Sequence, residues 1–216
     1  SRGDCPIRVR GGSSAVSDKV PFAVDLRNGF NFYHFLTEGL FADGQIRLVY
    51  THYDRFVLGG AVPSGADLTL DKIAETRTAS FLERREMGIV NIGEAGSVTA
   101  AGQTWEMKKG DVLYLGMGSG EVTFSGMGRF YITSCPAHRE LPCRLITVED
   151  AKEMKTGAVE TSNKRTIRQF IHPLVMESCQ LVLGYTTLED GSVWNTIPSQ
   201  SSWKTPFHLL RPTMKL

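Results

Sequence analysis

Glycine-rich turns divide most of this chain into short apolar runs, and that punctuation restricts the fold more than any other feature. Gln45 to Tyr50 and Arg55 to Leu58 are rich in aliphatic and aromatic residues and are bracketed by Asp43-Gly44, Tyr53-Asp54 and Gly59-Gly60, a strand-turn-strand pattern. The pattern repeats through Gly88 to Ile92, Ser97 to Ala100, Gln103 to Met107, Val112 to Leu115, Glu121 to Phe124 and Phe130 to Thr133. Gly93 with Gly96, Ala101-Gly102, Gly110-Asp111, Gly116 to Gly120, and Gly126 with Gly128 supply the turns. Many short strands at regular spacing predict an all-β sandwich or barrel rather than a parallel α/β sheet.

One helix is expected in the middle. Thr147 is placed to cap the first turn, Glu149 and Asp150 sit where the positive end of the dipole favours acids, and the segment runs to about Lys155 before Gly157. It reads as a connector over 147–160 to a second unit. That unit opens with Asn163 to Ile171, continues through Cys179 to Tyr185, and turns at Asp190-Gly191 into Val193 and Trp194.

Composition excludes several classes. With 216 residues, 41% hydrophobic and 22% charged, the chain has enough apolar material for a real core. A formal charge of +1 gives no electrostatic reason to expect a nucleic-acid partner. No apolar run reaches the length of a membrane span, and Ser1 to Asp18 lacks the apolar stretch of a secretory signal, so a cytoplasmic location is the default. Cys5, Cys135, Cys143 and Cys179 are too few and too scattered for a disulfide framework. Cys135, His138 and Cys143 lack a fourth ligand and are interrupted by Pro136 and Pro142, which argues against a zinc knuckle. No phosphate loop, dinucleotide fingerprint or nucleophile motif is present.

Glu86, followed by Met87 to Ile92 and Gly93, and Gly110-Asp111, followed by Gly116 and Gly118, resemble in spacing the two motifs of the cupins, double-sheet jelly rolls whose histidines and glutamate bind a metal. Ser80, Leu82 and Glu121 stand where those histidines would fall, so the first barrel is expected to be a metal-free cupin. Longer strings narrow the resemblance. Phe81-Leu82-Glu83-Arg84-Arg85-Glu86-Met87-Gly88-Ile89-Val90-Asn91-Ile92-Gly93, Thr161-Ser162-Asn163-Lys164-Arg165-Thr166-Ile167 and Trp194-Asn195-Thr196-Ile197-Pro198 are similar to the 5-keto-4-deoxyuronate isomerases, also called 4-deoxy-L-threo-5-hexosulose-uronate ketol-isomerases. Tyr53-Asp54-Arg55 to Pro63 and Cys135-Pro136-Ala137-His138 fit as well, and the match runs in order from about Phe35 to Pro198.

That resemblance implies a two-cupin, aldose-ketose isomerase of pectin and hexuronate breakdown, assembled as a homohexamer, that interconverts 5-dehydro-4-deoxy-D-glucuronate and 3-deoxy-D-glycero-2,5-hexodiulosonate. It also implies zinc, held in the second cupin directly after the Trp-Asn-Thr-x-Pro string. Gln200, Ser202 and Phe207 occupy the ligand positions here, so zinc is expected to be absent and turnover to be lost. The organisation expected is an off-family, poorly ordered segment over 1–34, a metal-free cupin over 35–146, the helical connector, the start of a truncated second cupin over 161–198 and an off-family tail over 199–216. A wrong exon junction or a frameshift would replace both ends and leave the middle intact. The alternative reading is a non-catalytic cupin scaffold for oligomerisation or sugar-acid binding.

For a sugar-acid ligand, the candidate residues are Glu83, Arg84, Arg85 and Glu86, where an arginine would grip the carboxylate in two-pronged fashion, together with Arg165 and its neighbour Lys164. The bland reading of the first four is an ion-pair ladder or subunit contact on a strand. His52 and His138 are acid-base candidates that are more often structural. The proton-shuttling residue is not identified by the sequence.

Overall fold

In a computed structural model of the chain, residues 37–51 and 54–192 are described, with 208–210 described as backbone. Among the described residues thirteen strands precede residue 192: β1 (Gln45–Tyr50), β2 (Val57–Val62), β3 (Leu68–Thr69), β4 (Arg85–Asn91), β5 (Gly96–Ala100), β6 (Gln103–Met107), β7 (Val112–Leu115), β8 (Thr123–Gly126), β9 (Phe130–Pro136), β10 (Arg144–Ile146), β11 (Lys152–Thr156), β12 (Arg165–Ile171) and β13 (Leu183–Leu188). β14 (His208–Leu210) lies parallel to β13.

The pairing is nested. β5 pairs with β6, β4 with β7, β3 with β8 and β2 with β9, all antiparallel. A long hairpin rolled up in this way yields two sheets, β2-β9-β4-β7 and β3-β8-β5-β6, which is jelly-roll topology. β1 and β10 extend the first sheet to six strands. A further sheet, β11-β12-β13-β14, covers the outer face of that six-stranded sheet.

Two cores follow from this layering. Met87, Ile89, Leu113, Leu115, Phe130 and Ile132 point into the jelly roll, where they meet Val98, Trp105, Met107 and Phe124 from the opposite sheet. The alternate residues Val90, Val112, Tyr114 and Cys135 point the other way and pack on Phe170, Ile171, Leu181 and Leu183. Burial on both faces explains why the middle of β4, Met87 to Val90, and β7 read as continuous apolar runs instead of alternating ones. Gly88 permits the close approach, because a Cβ there would sit 3.0 Å from Ile171 Cδ1 and from Leu183 Cδ2.

The expected helix is corrected. Residues 148–150 form a turn, and Lys152–Thr156 is β11, paired with β12. The cap chemistry at Thr147 is real but closes on itself: its hydroxyl donates to Asp150 Oδ2 at 2.8 Å and accepts from the Asp150 amide at 3.3 Å. Too few residues remain before Gly157 to repay helix nucleation, whereas strand pairing is available at once. Two strand starts also move. β13 begins at Leu183 because the amides of Cys179, Gln180 and Leu181 are engaged by a side chain, and β2 begins at Val57 because Asp54 and Arg55 form a turn with φ of 49° and 52°. Val193 and Trp194 lie outside the described residues.

Candidate functional site

Strand β4 places neighbouring residues on opposite sides of the six-stranded sheet. Arg85, Met87, Ile89 and Asn91 face the jelly-roll interior, while Glu86, Gly88 and Val90 face the outer sheet. The interior is therefore apolar in the middle and polar at both ends of the strand. Asn91 closes one end, its Nδ2 donating to the carbonyls of Glu94 (2.7 Å) and Met107 (2.9 Å). Leu82 is fully buried in the apolar core, Ser80 is half-buried, and Glu121 is exposed. Among the described residues no group of three or more His, Cys, Asp or Glu side chains comes together to hold a metal ion.

Glu86 is fully buried, and its carboxylate is filled by five donors. Oε1 accepts from the Gln180 and Leu181 amides, each at 2.7 Å, and from Cys135 Sγ at 3.4 Å. Oε2 accepts from the Tyr114 hydroxyl at 2.6 Å and the Cys179 amide at 2.8 Å. Three successive amides converging on one carboxylate form an anion cradle occupied by the protein's own side chain. Burial, and next the hydrogen bond to Glu86, push the Tyr114 phenol well above its ordinary range. Burial and the charge of Glu86 raise the Cys135 thiol in the same direction. As placed, Glu86 clamps the loop before β13 onto the jelly roll.

Arg85 is 3% exposed, on the other face. Its Nε donates to Ser134 Oγ at 3.1 Å, and its Nη2 donates to the Ser134 carbonyl at 2.8 Å and the Arg55 carbonyl at 2.7 Å. The guanidinium carbon stands 5.9 Å from the centre of the Phe81 ring. Desolvation lowers its pKa from the ordinary arginine value to about 10, partly opposed by Cys135 and Tyr50.

The other sequence candidates are dispersed. Arg84 is exposed and lies 3.5 Å from Glu83, whose Oε2 accepts the Ala79 amide at 2.6 Å. Glu83 to Glu86 thus form one exposed ion pair and two buried residues on opposite faces, in place of an ion-pair ladder. Arg165 is half-buried and donates to the Asn163 carbonyl at 3.1 Å, while Lys164 pairs with Glu189 at 2.9 Å on the surface. His138 is exposed. His52, Gln200, Ser202 and Phe207 lie outside the described residues. The sequence offered no signal for Tyr114, Ser134 or the amides of 179–181, because what matters at those positions is a hydroxyl or backbone group brought in from distant segments.

These features define an all-β protein of the double-sheet jelly-roll class. A family profile narrows the class: the KduI/IolB family matches residues 35–201, and the chain belongs to it. A protein of Agrobacterium fabrum called 4-deoxy-L-threo-5-hexosulose-uronate ketol-isomerase is 73% identical over 166 residues, covering 77% of this chain and 61% of its own length. One of the same name from Cereibacter sphaeroides (strain ATCC 17025) is 58% identical over 193 residues, covering 89% of this chain and 69% of its own. The chain therefore spans between 61% and 69% of the length of these two relatives. A solved IolB-like protein of Salmonella typhimurium LT2 is similar with a TM-score of 0.44 and 17% identity, over 62% of this chain and 47% of that one.

Proposed function

We propose that this chain belongs to the machinery of hexulose-uronate ketol-isomerisation and interconverts 5-dehydro-4-deoxy-D-glucuronate and 3-deoxy-D-glycero-2,5-hexodiulosonate, an intramolecular oxidation-reduction. The observation that supports this is the 73% identity over 166 residues with a protein of that name. On this reading it acts in cytoplasmic hexuronate breakdown as a homohexamer. The reaction moves a proton between adjacent carbons through an enediolate, and the developing negative charge must be stabilised in a site shielded from water.

Zinc is the group the family implies, and this chain's residues do not fit it. The amide of Gln200, the hydroxyl of Ser202 and the phenyl ring of Phe207 are not a zinc donor set, and no described cluster replaces them. What this chain contributes is the rigid jelly roll and the Glu86 clamp that fixes the following loop.

The filled apolar interior of the jelly roll favours a second reading, a non-catalytic scaffold for oligomerisation or sugar-acid binding. Zinc analysis and turnover on the same preparation separate the two. Protein is washed with chelator, reconstituted with zinc, analysed for metal and followed by NMR with the hexulose uronate. About one zinc per chain with interconversion supports the isomerase. Binding of the sugar acid with neither zinc nor turnover supports the scaffold.

A further inference from the structure

We infer that β11, the open edge of the outer sheet, pairs antiparallel with β11 of a second copy of this chain about a two-fold axis through Met154. Among the described residues β11 is bonded to β12 on one side and to no strand on the other. An edge strand presents a row of backbone N–H and C=O groups that another strand can complete. Four of its five residues, Lys152, Glu153, Met154 and Lys155, are exposed.

The strand also stands clear of the packed layers. Ala151, just before it, is buried in the second core, but no residue of β11 belongs to either core. The six-stranded sheet therefore backs β12 and β13, whose Phe170, Ile171 and Leu183 lie in that core, and leaves β11 overhanging. An overhang leaves room beside it for a neighbouring copy.

The sequence of β11 is self-complementary in one register. With Met154 opposite the partner's Met154, Glu153 falls opposite the partner's Lys155, and two-fold symmetry repeats the pair. Registers centred on Glu153 or on Lys155 instead set like charges face to face on the axis. Lysines on a sheet edge ordinarily keep strands apart. Here Glu153, lying between Lys152 and Lys155, makes the same charges select the partner and its register. Glu153 is held by Arg168 through Oε1 alone, at 2.5 Å, which leaves Oε2 for a second cation, and Lys155 has no ion-pair partner among the described residues.

The opposite face of the strand supplies apolar contact. Met154 is 48% exposed and stands in register with the half-buried Ile167 of β12. Pairing about Met154 brings the two thioether side chains together and joins the two Ile167 positions into one apolar strip across the sheet. Five paired residues bury far less than a standard interface, so the dimer is weak, dissociating in the micromolar range or above. It needs only the edge, its charges and Met154, and is independent of the isomerase reading.

The test uses the full chain. Sedimentation velocity from micromolar to millimolar protein is expected to show a reversible dimer at low salt that weakens at high salt. Lys155→Glu, which sets Glu153 opposite a second carboxylate, should weaken it about tenfold or more, while the same charge change at the exposed jelly-roll residue Lys72 leaves it unchanged. Oxidation with copper phenanthroline reads the register. Two copies of Met154→Cys face each other and form a disulfide through residue 154, mapped by mass spectrometry, whereas in Thr156→Cys the two positions lie four residues apart along the strands, roughly 13 Å, and stay unlinked. A chain that remains monomeric throughout, association that Lys155→Glu leaves unchanged, or dimers in which residue 154 links no more readily than residue 156 would each overturn the inference. Turnover and zinc content, which decide the isomerase reading, move none of these readouts.

Discussion

Glu86 Oε1 on β4 lies 2.7 Å from the amide nitrogen of Leu181, 95 residues further along the chain. The bond fastens the loop before β13 to the jelly roll, and the Cys179 and Gln180 amides repeat it on the same carboxylate. A side chain that gathers consecutive amides in this way fixes the path of the loop and hence the position of the outer sheet.

Glu86→Gln tests that clamp. A glutamine offers one acceptor oxygen, and its NH2 group would confront amide donors that now point at an oxygen. Losing charge-assisted bonds and leaving buried donors unpaired is expected to cost about 3 kcal/mol in urea unfolding. Native-state hydrogen exchange should locate the loss: the amides of 179, 180 and 181 exchange faster relative to those of β4 and β7. Equal acceleration across the jelly roll would show that Glu86 acts through the core as a whole.

The raised thiol and phenols predict a loss of stability at alkaline pH. Burial holds the folded-state values of Cys135, Tyr114 and Tyr131 above their ordinary 9.0, 10.0 and 10.0. The folded protein then keeps protons that the unfolded chain has released, so the stabilisation is complete below about pH 9 and shrinks as pH rises past that point. Arg85 has the opposite sign: its value falls from the ordinary arginine range to about 10, so its burial penalty lessens as pH rises above 10. Cys135→Ala isolates the thiol. Between pH 9.5 and 10.5 its unfolding free energy should fall less steeply than that of the wild type, by up to about 1.4 kcal/mol per pH unit.

The jelly roll was legible because its signals are local. Gln103–Met107 and Val112–Leu115 are strands with the boundaries that the flanking Ala101-Gly102, Gly110-Asp111 and Gly116 imply, since a turn glycine ends a strand wherever it sits. The helix expected after Thr147 failed because capping residues mark a first turn and say nothing about the residues that must propagate it. β3 and β10 went unseen, being held in place by partners distant in sequence, Leu68 opposite Phe124 and Leu145 opposite Leu113. At the site, the charged run Glu83 to Glu86 was visible, but its division between two faces was not. That division follows from strand alternation on a sheet buried on both sides. No pattern within the run reveals that the far side of the sheet will be covered by residues from 170 to 183.

Two glycines separate tolerable from intolerable crowding. At Gly88 an added Cβ meets the ends of Ile171, Leu183 and Leu181 side chains at 3.0, 3.0 and 3.2 Å. Those methyl groups can rotate or shift by tenths of an ångström, so Gly88→Ala should cost about 1 kcal/mol. At Gly116 the added Cβ would lie 1.9 Å from the Leu141 carbonyl oxygen and 2.9 Å from its carbon. Backbone cannot move aside without displacing the segment that leads to β10, whose Ile146 is fully buried. Gly116→Ala is therefore expected to cost about 3 kcal/mol or more, at the upper end of overpacking effects. Urea midpoints of the two variants, measured side by side, check the ordering. If Gly88→Ala proved the more damaging, the contact between the six-stranded sheet and the outer sheet would be tighter and less forgiving than the flexible ends of its side chains indicate.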